Sequence, residues 1–278
     1  MKFEYNVTFI IFIGTMIFHP RFRNLSVFCG KYLYYFLYTF SGAVIGIPFS
    51  LLYPCSTKSM WIYCWLSYLV SKTLGIEWEM RNSHNLIKED KSVIYVANHQ
   101  NSLDLIGIVR FWRLNSLRCS VIVKNSLFWL WPIGPAMWLA GAKFIKRESP
   151  SQEKHKNFNK LVAELFEEKD KLAVFVEGTR NPNPEKLLPF KKGAFVAAIR
   201  HEVPIQPVVF SPYYFLDWKN KKFGSGKIII EVLEPISTKN MTMKDLDELV
   251  SKTYDAMSRK NTELRNEIKH WLAQKKER

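Results

Sequence analysis

Cysteine is scarce in this 278-residue chain, and none of the four, Cys29, Cys55, Cys64 and Cys119, is spaced as a metal ligand. Three of them lie in or beside apolar stretches, where a thiol behaves as a small buried hydrophobe, so a disulfide framework is not expected. The six histidines are scattered and pair in no zinc pattern, so no metal site is expected. Internal repeats, low-complexity tracts and nucleic-acid-binding motifs are also missing, which removes solenoids, linkers and nucleic-acid partners from consideration.

The most telling absence is of charge. Between Lys31 and Lys58 no side chain is charged, and Leu33 to Tyr53 is dense in Leu, Ile, Val, Phe and Tyr. Such a run has about the 20 residues needed to cross a hydrocarbon core. Met60 to Val70 is a second uncharged stretch, short for a full span, and Val7 to Phe18 is a third. A cleaved signal peptide fits that third stretch poorly. Lys2 is offset by Glu4, and His19-Pro20-Arg21 follows in place of a small-x-small cleavage site. Residues 1–76 are therefore expected to be membrane-embedded helices with the bilayer as partner, the number of true spans left open. The formal charge of +15 arises mostly after residue 72 and is spread between apolar strands. That suits anionic headgroups and phosphorylated substrates, and a cytosolic location of the C-terminal part.

After the membrane region, short apolar runs alternate with helical patterns. Ser92–Ala97, Cys119–Val123, Ala142–Ile145, Leu172–Val176, Pro204–Phe210 and Ile228–Leu233 read as strands. Trp129–Leu139 is apolar but interrupted by Pro132, Gly134 and Pro135, so it cannot be one regular helix. Ser149-Pro150-Ser151 signals a helix start, and Phe158, Leu161, Val162, Leu165 and Phe166 then fall on one face. Gly193–Arg200 is expected to be helical, and a last amphipathic helix to begin near Met243. This alternation indicates an α/β layer architecture over residues 77–278.

Two segments at strand ends carry the chemistry. In Asn98-His99-Gln100-Asn101-Ser102-Leu103-Asp104, a loop turning into a helix can bring His99 and Asp104 together. The carboxylate would fix the imidazole tautomer and stabilise its protonated form, leaving the other ring nitrogen to remove a proton. That is the base-and-orienter half of a triad, with a substrate hydroxyl in place of the serine. Ser102 is close by, but no nucleophile-elbow pattern surrounds it, and no cysteine adjoins His99. The second segment is Glu177-Gly178-Thr179-Arg180. Gly178 allows close backbone approach, Arg180 can hold a phosphate bidentately, and Glu177 can orient Arg180 or meet a substrate hydroxyl.

With these blocks in order, the chain resembles the 1-acylglycerol-3-phosphate acyltransferase family within the glycerolipid acyltransferases. NHQNSLD at 98–104 resembles the first block, and Lys124 through Gly141 to Phe144-Ile145-Lys146-Arg147 the second. Val176–Arg180 resembles the third block, Val203–Val209 the fourth, and Leu188–Phe195 a basic stretch common in the family. Two departures stand out: Val176 replaces a frequent proline, and Lys146 a frequent acidic residue. The resemblance implies a single α/β domain with a central mixed sheet flanked by helices. It further implies acyl transfer from acyl-CoA to lysophosphatidic acid with no cofactor, His99 and Asp104 being catalytic. Glu177, Gly178, Thr179, Arg180, Arg147, Lys124 and Lys192 are the implied substrate-binding residues. Another lysophospholipid acceptor, a non-catalytic scaffold and a lipid hydrolase are the competing readings; no obligate protein partner is evident. The tail Lys275-Lys276-Glu277-Arg278 resembles the cytosolic dilysine signal of endoplasmic-reticulum membrane proteins, a short motif that basic tails also produce by chance.

Overall fold

The apolar runs lie side by side in space. The protein is represented by a computed structural model that describes residues 20–54, 56, 59–87, 91–114, 119–146, 151–167, 171–181, 183 and 185–277. Val7–Phe18, Cys55 and Arg147 lie outside the described residues. In chain order the strands are β1 (Ile76–Arg81), β2 (Ile94–Ala97), β3 (Cys119–Lys124), β4 (Lys143–Ile145), β5 (Lys171–Phe175), β6 (Ile205–Phe210), β7 (Leu216–Asp217), β8 (Lys222–Phe223) and β9 (Gly226–Val232). Seven form one sheet in the spatial order β1-β9-β6-β2-β5-β3-β4, and β7 and β8 form a small antiparallel hairpin. All sheet pairs are parallel except β6–β9, so the sheet is mixed.

Strands covered on both faces are apolar throughout, and β2 and β6 are buried at every position. Their side chains divide by parity. Tyr95 and Ala97 face one core with Val208, Phe210, Ile228 and Ile230. Ile94 and Val96 face the other with Ile205, Val209 and Ile229. The first core is closed by α1 (Pro20–Leu51), α2 (Met60–Leu74) and α3 (Asp104–Leu114). The second is closed by α5 (Ser151–Glu167), α6 (Gly193–Arg200) and α7 (Leu246–Glu277), the fourth helix being α4 (Ile133–Leu139). The Trp129–Leu139 stretch is indeed divided, with a 3-10 turn over Asn125–Trp129 ahead of α4. The final helix starts at Met243 through a 3-10 turn, where Thr242 and Asp245 cap each other.

Strand β1 is not among the strands read from the sequence, because Glu77, Glu79 and Arg81 interrupt any apolar run. It pairs with β9 at the sheet edge, and its charges find partners: Glu79 with Lys227 at 2.6 Å and Arg81 with Glu267 at 2.7 Å. The Arg81 guanidinium holds the Glu267 carboxyl below its ordinary range, and the Lys227 ammonium, with Arg81, does the same for Glu79.

Helices α1 and α2 form an antiparallel hairpin. Tyr34 meets Thr73 at 2.9 Å near its base, and Ser50 meets Tyr63 at 3.1 Å near its tip. Gly75, at φ 72°, ends α2 in the left-handed conformation that a Cβ disfavours. Among the described residues α1 alone is long and apolar enough to cross a membrane, judged by length and composition. Only 28% of its most apolar window is buried within the protein. Leu33, Phe36, Leu37, Phe40, Val44 and Ile45 are exposed along it, and Trp65, Trp129 and Trp131 are exposed elsewhere. Helix α2, at 15 residues, is about 22 Å long, short of a hydrocarbon core of about 30 Å.

Candidate active site

Parallel strands place their C-terminal ends on one edge of the sheet, the edge where open α/β sheets hold ligands. Here β6, β2 and β5 are neighbours in that order. The loops after them therefore converge: Ser211–Tyr213 from β6, Asn98–Leu103 from β2, and Val176–Arg180 from β5.

Asn98 continues the ladder past β2 with its side chain, accepting from Phe210 N at 2.8 Å and donating to Phe210 O at 3.0 Å. His99 follows, and the loop then turns into α3, whose first residue is Asp104. The Asp104 carboxylate has no solvent exposure and receives four hydrogen bonds. Its Oδ2 accepts from His99 Nδ1 at 2.7 Å, Gln100 N at 2.6 Å and Asn101 N at 3.0 Å. Its Oδ1 accepts from the Tyr213 hydroxyl at 2.6 Å. An ionised carboxylate only accepts, so Nδ1 carries the ring proton and Nε2 presents a lone pair. The His99 ring stacks on Phe175, with centroids 4.0 Å apart and planes 15° apart, and its side chain stays 20% exposed. Ring tilt and tautomer are thus both fixed, and part of the ring remains exposed.

Burial, reinforced by the negative charge of Asp104 and the bond to it, holds the Tyr213 phenol well above its ordinary pKa. It remains a donor. Tyr35 of α1 donates to Ser102 O at 2.9 Å, which ties the membrane-type helix to the same loop.

The sequence points Glu177 at Arg180 or at a substrate hydroxyl; the structure gives its oxygens to the protein itself. Glu177 is 1% exposed and accepts from His99 N at 2.9 Å, Asn181 Nδ2 at 3.0 Å and Leu188 N at 2.8 Å. It braces the backbone of the His99 loop against the segment after β5. Gly178 sits at φ 70°, and an added Cβ would lie 3.0 Å from Lys191 Cγ. Thr179 and Arg180 are exposed.

The remaining basic candidates are dispersed. Lys124 ends β3, two strands from β2, hence about 10 Å to the side. Lys192 points to the start of α7, where it pairs with Asp247 at 2.5 Å. Lys146, the departure from the second block, is exposed just past β4. Phe175, Tyr213 and Asn181 are the site residues that sequence reasoning missed. Phe175 ends β5 immediately ahead of the third block, and only its place one strand from His99 reveals the stacking. Tyr213 stands three residues past β6, where no periodic pattern marks it.

Beside the His99 loop an apolar cavity of about 120 Å³ lies between α1, α2, α3, α4 and β3. Tyr35, whose hydroxyl reaches that loop, lines one side, with Gly42, Leu66, Val109, Trp112 and Met137 further around.

At the sheet edge a fully buried carboxylate thus orients an imidazole that is 20% exposed, and an apolar cavity lies beside the same loop. Residues 77–211 match the family model for acyltransferases. The 1-acyl-sn-glycerol-3-phosphate acyltransferase beta of Homo sapiens is 36% identical over 207 residues, covering 73% of this chain and 71% of that protein. The 1-acyl-sn-glycerol-3-phosphate acyltransferase of Saccharomyces cerevisiae is 37% identical over 202 residues, covering 72% and 65%. The crystal structure of the 1-acyl-sn-glycerophosphate (LPA) acyltransferase PlsC from Thermotoga maritima superposes with a TM-score of 0.67 at 23% identity. It covers 88% of this chain and 98% of that one, and at that identity it speaks for the fold. The chain belongs to the 1-acyl-sn-glycerol-3-phosphate acyltransferase family, and it is an enzyme of the acyltransferase class.

Proposed function

We propose that the chain transfers a fatty acyl group from acyl-CoA to the sn-2 hydroxyl of 1-acyl-sn-glycerol 3-phosphate, releasing phosphatidic acid and CoA. The observation that supports this reading is the His99–Asp104 pair: Nδ1 is committed to the carboxylate at 2.7 Å, which leaves Nε2 as the ring nitrogen for proton removal. Nε2 takes the hydroxyl proton as the oxygen attacks the thioester carbonyl. The tetrahedral intermediate collapses with cleavage of the C–S bond, and the proton passes to the departing thiolate. A thiol pKa of about 8.5 makes that leaving group undemanding, so the step needs only a positioned base and draws on no cofactor.

The names of the relatives and the exposed Arg180 favour lysophosphatidic acid as acceptor. Arg180 holds the phosphate, with Lys124 contributing from the end of β3; Arg147 stays a candidate from the sequence alone. Lys192, paired with Asp247, has the weaker claim. The apolar cavity takes acyl-chain methylenes.

The α1–α2 hairpin is the membrane-embedded part. Its exposed apolar face has no counterpart on a soluble domain surface. Because α2 is too short to span, the hairpin enters and returns on one side, which keeps the catalytic loop at the lipid surface. The basic C-terminal tail fits a cytosolic orientation at the endoplasmic reticulum. The test is acceptor choice: thiol release from oleoyl-CoA by detergent-purified protein, given lysophosphatidic acid, lysophosphatidylcholine or glycerol 3-phosphate. Release dependent on lysophosphatidic acid supports the assignment; release with lysophosphatidylcholine instead keeps the chemistry and removes the phosphate site.

A further inference from the structure

The two oxygens of Asp104 are held unequally. Oδ2 takes three donors, all from residues 99–101 of its own loop. Oδ1 takes one, from a phenol 109 positions further along the chain and outside the span matched by the acyltransferase model. We propose that Tyr213 is a positioning residue for the reaction, acting through Asp104 to hold the His99 ring where its Nε2 can take the substrate proton.

Three features make the phenol a fixed strut rather than an incidental neighbour. The segment bearing it is clamped. Ser211 N donates to Ile229 O and Ser211 Oγ accepts from Ile229 N, each at 2.9 Å, while Gln100 Nε2 donates to Phe210 O at 3.1 Å and Ser211 O at 3.0 Å. The Tyr213 ring is wedged edge-on against Trp78 and Phe215, with centroids 6.3 and 5.9 Å away. Both Tyr213 and Asp104 are buried, Asp104 completely, so no water is at hand to replace a lost hydroxyl at Oδ1. Without that donor the carboxylate turns to share its loop donors between both oxygens. The Nδ1 bond then lengthens, and the imidazole slides on Phe175. Tyr213 contacts Asp104, Trp78 and Phe215, none of which is among the residues assigned to substrate binding, so substrate affinity is expected to be spared. The cost falls on the step in which His99 becomes positively charged, and so on kcat. The inference rests on His99 being the base.

The test compares wild type, Tyr213→Phe, Asp104→Asn, the double variant and His99→Ala, with KM measured for acyl-CoA and for lysophosphatidic acid. In Tyr213→Phe, kcat is expected to fall about 10- to 100-fold, the usual weight of a hydrogen bond to a buried charge. Both KM values are expected to stay within about twofold, since truncating a group used only in the transition state leaves ground-state binding alone. In the Asp104→Asn background the second substitution is expected to cost less than about threefold, because residues acting through one another are non-additive. Three results overturn the proposal: a folded Tyr213→Phe enzyme with unchanged kcat, a full-sized loss persisting without the Asp104 charge, or a Tyr213→Phe protein that does not fold, which makes the role structural. If His99→Ala keeps its activity, the base assignment itself fails, a result distinct from all three.

Discussion

Replacing Asp104 by asparagine removes one charge and keeps almost all of the shape. An amide oxygen in place of Oδ2 still accepts from His99 Nδ1, Gln100 N and Asn101 N, and an amide nitrogen in place of Oδ1 can donate to the Tyr213 oxygen. The fold should therefore persist, with the melting midpoint moved by a few degrees at most. What is lost is the stabilisation of the imidazolium. The nearest atoms of the pair are 2.7 Å apart. Taking charge centres about 4 Å apart and an effective dielectric constant near 20, the pair is worth about 4 kcal/mol. If that interaction is realised only when His99 takes the proton, kcat falls by about three orders of magnitude. The assay is initial-rate thiol release from acyl-CoA at saturating acceptor, beside thermal unfolding of the same preparation. A folded Asp104→Asn enzyme retaining more than about a tenth of wild-type kcat would refute the reasoning, since the carboxylate would then be holding the ring by shape alone.

Other perturbations separate the remaining parts of the account. Arg180→Ala should raise KM for lysophosphatidic acid at least about 10-fold with KM for acyl-CoA little changed, the loss expected for a charge-assisted bond to phosphate; equal effects on both substrates would move the phosphate elsewhere. Gly178→Ala forces a Cβ into φ 70° close to Lys191, so the protein should lose about 1–2 kcal/mol of stability, read from denaturant midpoints. Glu79 and Glu267 have folded pKa values depressed by Lys227 and Arg81, so their contribution is present above the ordinary glutamate value of about 4.3 and is lost as pH falls through the lowered values. Melting midpoints between pH 6 and pH 3 should accordingly fall more steeply in wild type than in Glu267→Gln; parallel curves would show the pair to be without thermodynamic weight. Leu37→Lys places a charge on the exposed face of α1, and a lipid-facing lysine costs about 3 kcal/mol. Less of that variant should remain in the membrane fraction after high-salt washing, and unchanged retention would argue that this face does not meet lipid.

Much of the sheet was legible because its central strands are buried on both sides. SVIYVA and PIQPVVF are apolar at every position of one periodicity or the other, and no solvent-facing helix carries such runs. β1 was not, because its alternating charges are satisfied by β9 and α7, partners far away in sequence. The His99–Asp104 pair was legible as a possibility from spacing, and it becomes geometry only because α3 begins at Asp104 itself. The role of Glu177 was misdirected. A glutamate beside an arginine suggests an ion pair, whereas adjacency of β2 and β5 delivers the backbone N–H of His99 to it first. Tyr213 was invisible for the same reason in reverse. Its partner is 109 residues earlier, and only the neighbouring of β6 and β2 brings them together. The second-block basic residues also lay beyond inference, since their distance from His99 depends on strand order, which spacing along the chain does not encode.

The most direct test of the central claim is product stoichiometry. Purified protein is given oleoyl-CoA and lysophosphatidic acid, and phosphatidic acid and free CoA thiol are quantified over time for wild type and His99→Ala. The account predicts equal amounts of both products from wild type and neither above background from the variant. Thiol release without matching phosphatidic acid, or phosphatidic acid formed at the wild-type rate by His99→Ala, would contradict it.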